Sequence, residues 1–291
     1  MKRLAWMDGS ICDLSEAKVP LEDRGYLFGD GVYEVIKIYN GKTFYLQPHL
    51  DRLKNSAEAI DLNVPYTKQE ISREISSLIE QSECKGGYLY MQITRGSAKR
   101  DHLLPEGTRP SMVMYVREFP SPASIEDIKP AACITLPDER WMNCYIKSVN
   151  LLPNVLARHK AAEAGAQEAI FYRPGGVVTE GTLTNIFAVI DGVVRTHPES
   201  RLILSGITRM IALEILRKLG FTVSEEAFMV DDLEKASEVW TTSTGRGIIP
   251  VEYIDSRPVA EAVPGPICRS LIEEFWKRVE LECYDSGKRT N

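Results

Sequence analysis

Ala169-Ile170-Phe171-Tyr172-Arg173-Pro174-Gly175-Gly176-Val177-Val178-Thr179-Glu180 sets two apolar runs on either side of a Pro-Gly-Gly turn, and it reads as a tight β-hairpin. A similar arrangement follows at once in Asn185 to Ile190, the Asp191-Gly192 turn and Val193 to Thr196. Many short strands with few helices between them predict a barrel-like sheet in this half of the chain. Flanking the strands, the pattern predicts a helix over Asn154 to Ala164 ended by Gly165. A second runs over Ile207 to Leu219, with Ile207, Met210, Ile211, Ile215 and Leu219 inward and Gly220 as its stop.

The first part of the chain reads differently. Gly31 to Tyr39 alternates as a strand, Asn40-Gly41 is a hairpin turn, and Thr43 to Leu46 is the expected return strand. Pro48 suits the first turn of a helix whose apolar stripe is Leu50, Leu53, Ala57 and Ile60, with Arg52 off that stripe. A further helix is expected over Lys68 to Glu80, then strands over Tyr88 to Thr94 and Ser111 to Glu118. The polar segment between those strands, Arg95 to Pro110, is long for a hairpin loop, which points to use. Pro120-Ser121-Pro122-Ala123-Ser124 is the linker candidate. The expectation is therefore an α+β protein with a small N-terminal domain over 1–120, a linker over 121–125 and a larger domain over 126–291 that carries Lys147.

A chain of 291 residues with 44% hydrophobic and 26% charged residues can bury a deep site, and a net charge of -6 argues against a nucleic-acid footprint. The six cysteines are scattered without a C-x-x-C pair, so no disulfide framework and no metal site are expected. No signal-peptide core and no membrane-length apolar run is present, and the chain reads as cytoplasmic.

Lys147 lies in Tyr145-Ile146-Lys147-Ser148-Val149-Asn150, a strand-like run on which Trp141, Asn143, Tyr145, Lys147 and Val149 would share one face. Downstream, Glu180 is a lone carboxylate in a turn. Ser205-Gly206-Ile207-Thr208 opens a helix with free backbone amides, and Thr242, Ser243 and Thr244 add hydroxyls. Singly these are ordinary features: a strand-end lysine, a solvated turn residue, an N-cap serine. Together they supply what a cofactor such as pyridoxal phosphate needs, namely an amine for a Schiff base, an acid for the pyridine nitrogen and a phosphate cradle. Arg52 offers a charged fork for the phosphate, and Arg100-Asp101-His102 offers a cationic pair for a carboxylate. Tyr33 is a candidate phenol donor.

In this order the motifs resemble the fold-type IV (class IV) pyridoxal-phosphate aminotransferases, and most closely their D-amino-acid branch. The resemblance covers nearly the whole chain. It rests on Gly29 to Lys37, His49-Leu50-Asp51-Arg52-Leu53, Arg95-Gly96 with Arg100-x-His102, and Ile146-Lys147-Ser148. It continues through Leu151-Leu152-Pro153-Asn154, Glu180-Gly181 with Asn185-Ile186-Phe187, Gly206-Ile207-Thr208-Arg209, and Thr242-Ser243-Thr244. The resemblance implies a small N-terminal α/β sandwich domain and a C-terminal pseudo-barrel. It assigns Lys147 to the cofactor bond and Glu180 to the pyridine nitrogen. Arg52, Ile207, Thr208, Ser243 and Thr244 would hold the phosphate, Leu204 a ring face, and Arg140 would support Glu180. Tyr33 of one subunit, with Arg100 and His102 of the other, would capture the α-carboxylate in a homodimer acting on D-amino acids and 2-oxo acids such as 2-oxoglutarate or pyruvate. Lys99, Leu183 and Gly245-Arg246 depart from the family pattern and bear on substrate range. The alternatives within the fold are a branched-chain L-amino-acid aminotransferase, an (R)-amine transaminase and an aminodeoxychorismate lyase. A non-catalytic anion-binding protein is the alternative outside it.

Overall fold

The computed structural model describes residues 1–122 and 124–284. Ala123, inside the linker expected over 121–125, and residues 285–291, at the end of the expected second domain, lie outside the described residues. Two compact units form. One holds Met1–Ser121, Ile146–Asn150 and the stretch from Leu281; the other holds Pro122–Tyr145 and Leu151–Glu280.

In chain order the first unit contains β1 (Leu4–Met7), β2 (Ser10–Asp13), α1 (Arg24–Phe28), β3 (Gly31–Tyr39), β4 (Lys42–Thr43), α2 (Leu46–Glu58), α3 (Lys68–Ser82), β5 (Gly86–Thr94) and β6 (Ser111–Glu118). Its strands make one antiparallel sheet in the order β2-β1-β6-β5-β3-β4. Because side chains alternate across a strand, Val32, Ile36 and Ile38 of β3 reach one face and pack there with Leu50 and Leu53 of α2 and Ile75 and Leu78 of α3. Fully burying each such aliphatic chain contributes about 1.5–3 kcal/mol. The return strand is shorter than its sequence suggests. Tyr45 takes a left-handed conformation and Leu46 already belongs to α2, so pairing stops at Thr43.

The second unit contains β7 (Ala131–Pro137), α4 (Leu152–Glu163), β8 (Glu168–Tyr172), β9 (Val178–Gly181), β10 (Asn185–Ile190), β11 (Val193–Thr196), α5 (Ile207–Lys218), β12 (Val223–Ser224), β13 (Glu238–Ser243), β14 (Gly247–Ile254) and β15 (Arg257–Pro258), and α6 (Pro266–Cys283) begins in it. The main sheet path is β12-β11-β10-β13-β14-β7-β8-β9. Only Thr182 to Thr184 separate β9 from β10, and a chain of that length spans at most about 14 Å. Laid flat, the path β10-β13-β14-β7-β8-β9 would put those strands about 24 Å apart. The sheet therefore curls, and the turn from β9 to β10 carries Glu180 and Asn185 at its two ends. This α+β architecture with a curled half-barrel is the one that the sequence predicts.

The lysine segment departs from expectation. Residues 141–149 form no strand; Ser148 makes only an isolated bridge to Val32, and Trp141 and Tyr145 are exposed. Its two parts cluster apart: residues 141–145 belong to the second unit, and Ile146–Asn150, with Lys147, to the first. Ile146 is buried in the first unit's core, and the start of β3 takes up the backbone that follows it.

Candidate active site

Lys147 is fixed through its backbone, not through an extended strand. Its N–H donates to Ser56 Oγ at 3.1 Å, and its carbonyl accepts from the Tyr33 N–H at 3.0 Å. Val149 N–H bonds the Gly31 carbonyl at 3.1 Å, so the segment rides along the first residues of β3. Lys147 Nζ then lies 4.3 Å from the centroid of the Tyr33 ring, a cation–π approach that leaves the amine half-buried on one side of a phenol. Tyr33 itself is backed by Tyr90 at 5.7 Å, which stacks on Tyr115 at 5.1 Å.

Glu34, next to Tyr33 and on the opposite face of β3, is fully buried and points beneath α2. A buried carboxylate needs charged partners, and α2 supplies them from one seam. Arg52 forks onto Glu34 through Nε at 2.7 Å and Nη2 at 2.9 Å, and His49 Nδ1 lies 2.8 Å from the same carboxylate. Burial alone would raise Glu34, but Arg52 and His49 outweigh it and hold the carboxyl well below its usual range. Burial lowers His49 in turn, outweighing the pull of Glu34. Arg52 is thus buried rather than left outside the helix's inward face, and Ser56, on the same seam, reaches Lys147.

Arg100 and His102 stand exposed in the loop between β5 and β6. The structure brings both against Phe28, with Arg100 Cζ 5.2 Å from its ring centroid and His102 at a ring separation of 5.4 Å. Among the described residues neither side chain hydrogen-bonds Tyr33.

In the second unit, Glu180 is the centre of a hydrogen-bonded cage. It accepts from Arg140 Nη1 at 2.5 Å, Asn185 Nδ2 at 3.0 Å and the Leu204 N–H at 2.9 Å. Asn185 Nδ2 also reaches the Leu204 carbonyl at 2.9 Å, which locks Leu204 to the same turn. Arg140 is itself held bidentate by Asp138, at 2.9 and 2.8 Å, and its guanidinium lies 4.7 Å from the Phe171 centroid. Burial pushes Glu180 above its usual range, with Arg140 offsetting part of that rise. For Asp138 the balance goes the other way: burial raises it, but Arg140 and Arg173 together bring it below its ordinary value.

α5 starts at Ile207 behind Gly206, and no side chain caps it, although Ile207 and Thr208 are buried. A buried helix start without a cap leaves amide donors for an anion, and the helix dipole adds to the attraction. Thr242 Oγ1, on the strand that leads to Ser243 and Thr244, is buried and has no hydrogen-bond partner among the described residues. These features fit a phosphorylated ligand in the second unit. Gly206 also sits against the Glu180 cage: a Cβ there would lie 2.0 Å from Asn185 Oδ1. Gly206→Ala is expected to cost about 1–3 kcal/mol of stability, seen as a lower urea midpoint. An unchanged midpoint would show that Asn185 moves aside without penalty.

The sequence reading gave no role to Glu34, His49 or Asp138, although Glu34 and His49 lie in the motifs that carry the resemblance. The spacing of His49, Arg52 and Ser56 along α2 was a usable signal, because three polar residues three or four apart lie on one helical seam.

The family described as Amino-transferase class IV matches residues 31–254. A D-alanine aminotransferase from Bacillus licheniformis is 41% identical over 264 residues, covering 91% of this chain and 93% of that protein. The branched-chain aminotransferase of Thermoproteus uzoniensis, solved with norvaline, superposes with a TM-score of 0.86 at 29% identity, covering 99% of this chain and 97% of that one. The T.th. branched-chain amino acid aminotransferase with pyridoxamine 5'-phosphate gives a TM-score of 0.87 at 27% identity, covering 95% and 94%.

Proposed function

Since the chain belongs to the class IV aminotransferase family, we propose that it moves an amino group from a D-amino acid to a 2-oxo acid with pyridoxal 5'-phosphate as cofactor, in two half-reactions at one site. The observation that carries this reading is the Lys147 amine poised over the Tyr33 ring with its backbone fixed on both sides. When bound, the cofactor supplies an electron sink for the pair left on the substrate α-carbon. Lys147 Nζ is the group that bonds it and then carries the α-proton.

Glu180, with its proton affinity raised by burial, faces the pyridine nitrogen in this reading and shares a proton with it. Ile207, Thr208, Ser243 and Thr244 hold the phosphate together with Arg52, and Leu204 covers a face of the ring. Tyr33 of one subunit, with Arg100 and His102 of the partner subunit, takes the substrate carboxylate, so the active species is a homodimer. Leu103 and Tyr26, 77% and 74% exposed in the loop that carries Arg100 and His102 and in α1, support an apolar surface that a second copy covers. Lys99, Leu183 and the Gly245-Arg246 turn bear on side-chain preference. The six free cysteines support a cytoplasmic, reducing home.

A second reading calls for a direct test, because the solved relatives include branched-chain aminotransferases. With 2-oxoglutarate as acceptor, D-alanine is expected to be turned over at least about tenfold faster than L-leucine in kcat/KM, a difference of roughly 1.4 kcal/mol in transition-state binding. Preference for L-leucine would replace the D-amino-acid assignment with the branched-chain one.

A further inference from the structure

We propose that Phe28 is a positioning residue: its ring is the platform that sets Arg100 and His102 toward a substrate carboxylate. This rests on the reading of those two residues as the carboxylate clamp. Phe28 is the last residue of α1, and its ring is approached by three side chains. Arg24 Cζ lies 4.8 Å from its centroid, Arg100 Cζ 5.2 Å, and the His102 ring 5.4 Å at 50°. Among the described residues the Arg100 and His102 side chains make no hydrogen bond, so their donors remain available to an anion and the ring is what limits their rotamers.

The platform is anchored from below. Arg24 is 3% exposed; its Nε bonds Asp30 at 2.8 Å and its Nη1 holds the carbonyl of Asp101, the residue between the two clamp side chains, at 2.7 Å. Asp30 also takes Arg95 through two nitrogens, and Arg95 in turn reaches the Ile60 and Asp61 carbonyls. The loop's first residues pair with the entry to α1, through Arg24 N–H to the Gly96 carbonyl and Ala98 N–H to the Glu22 carbonyl. Backbone and ring therefore fix two otherwise solvated side chains before substrate arrives. Without the ring, substrate binding would have to immobilise them itself, and that loss appears in KM.

The test uses the full-length holoenzyme with D-alanine and pyruvate. Phe28→Leu keeps an apolar side chain but removes the π face, and it is expected to raise KM about tenfold with kcat and the visible absorbance of the loaded protein unchanged. Phe28→Tyr is expected to restore KM to within about twofold of the original. Arg100→Gln is measured in parallel and should raise KM at least as far. A normal KM in Phe28→Leu beside a raised KM in Arg100→Gln overturns the platform and leaves the clamp standing. A normal KM in Arg100→Gln removes the clamp and the platform together. If Phe28→Leu lowers kcat and absorbance along with KM changes that tyrosine fails to rescue, Phe28 has only a general structural role and the proposal falls.

Discussion

Replacing Lys147 with alanine is expected to remove transamination and the visible absorbance of the cofactor-loaded protein together, while the fold survives. Proton transfer by a positioned group is worth about 10²–10⁴-fold, and losing the covalent attachment adds to that, so turnover should fall by at least about 10⁴. The fold is spared because the bonds that fix this segment are backbone ones, from the Lys147 N–H to Ser56 and from the Tyr33 N–H to the Lys147 carbonyl. What the side chain adds to stability is its approach to the Tyr33 ring, worth about 0.5–1 kcal/mol at an open site. Lys147→Arg sharpens the test: it keeps a cation over the phenol yet supplies no amine that can form the bond, so it should be as inactive as alanine. Turnover in either variant within about tenfold of the original would end the assignment.

The strands were legible because their signals are local. Alternation across Gly31 to Tyr39, the Asn40-Gly41 and Asp191-Gly192 turns and the apolar spacing along α2 and α5 each depend on residues within one element. Where the reading slipped, the deciding partner came from elsewhere in the chain. Arg52 looks outward to any rule that sorts residues by hydropathy. It is buried because Glu34, on a strand before the helix, is buried too and needs a cation. The run around Lys147 has strand-like composition, yet only the first residues of β3 are available to pair with it, so it stops at one bridge and leaves Trp141 and Tyr145 to solvent. Asp138 gave no signal at all, since its role exists only through partners brought to it by the fold, above all the fork that Arg140 makes on it. Phe28 is likewise ordinary until Arg24, Arg100 and His102 are seen around it. The candidate set rests on ordered motifs, which do not depend on any one element being read correctly.

Glu180→Gln is expected to lower kcat about 10²–10³-fold, the range seen when one preorganised electrostatic partner of a transition state is lost. The effect should fall on kcat more than on KM, because the carboxylate acts on charge that develops during reaction and not on the substrate's carboxylate. Glutamine is the informative change. It keeps one acceptor oxygen, for Arg140 on one side or for the Leu204 N–H and Asn185 on the other, and its NH2 then faces the remaining donor; Arg140 stays charged and forked by Asp138, so no guanidinium is left buried without a partner. Stability should drop by no more than about 1–3 kcal/mol, while the charge proposed to face the ring nitrogen is gone. The variant should keep its visible absorbance, since Lys147 is untouched, and this separates it from the lysine variants. A kcat within about threefold of the original would place Glu180 in the architecture of the turn instead of in the chemistry.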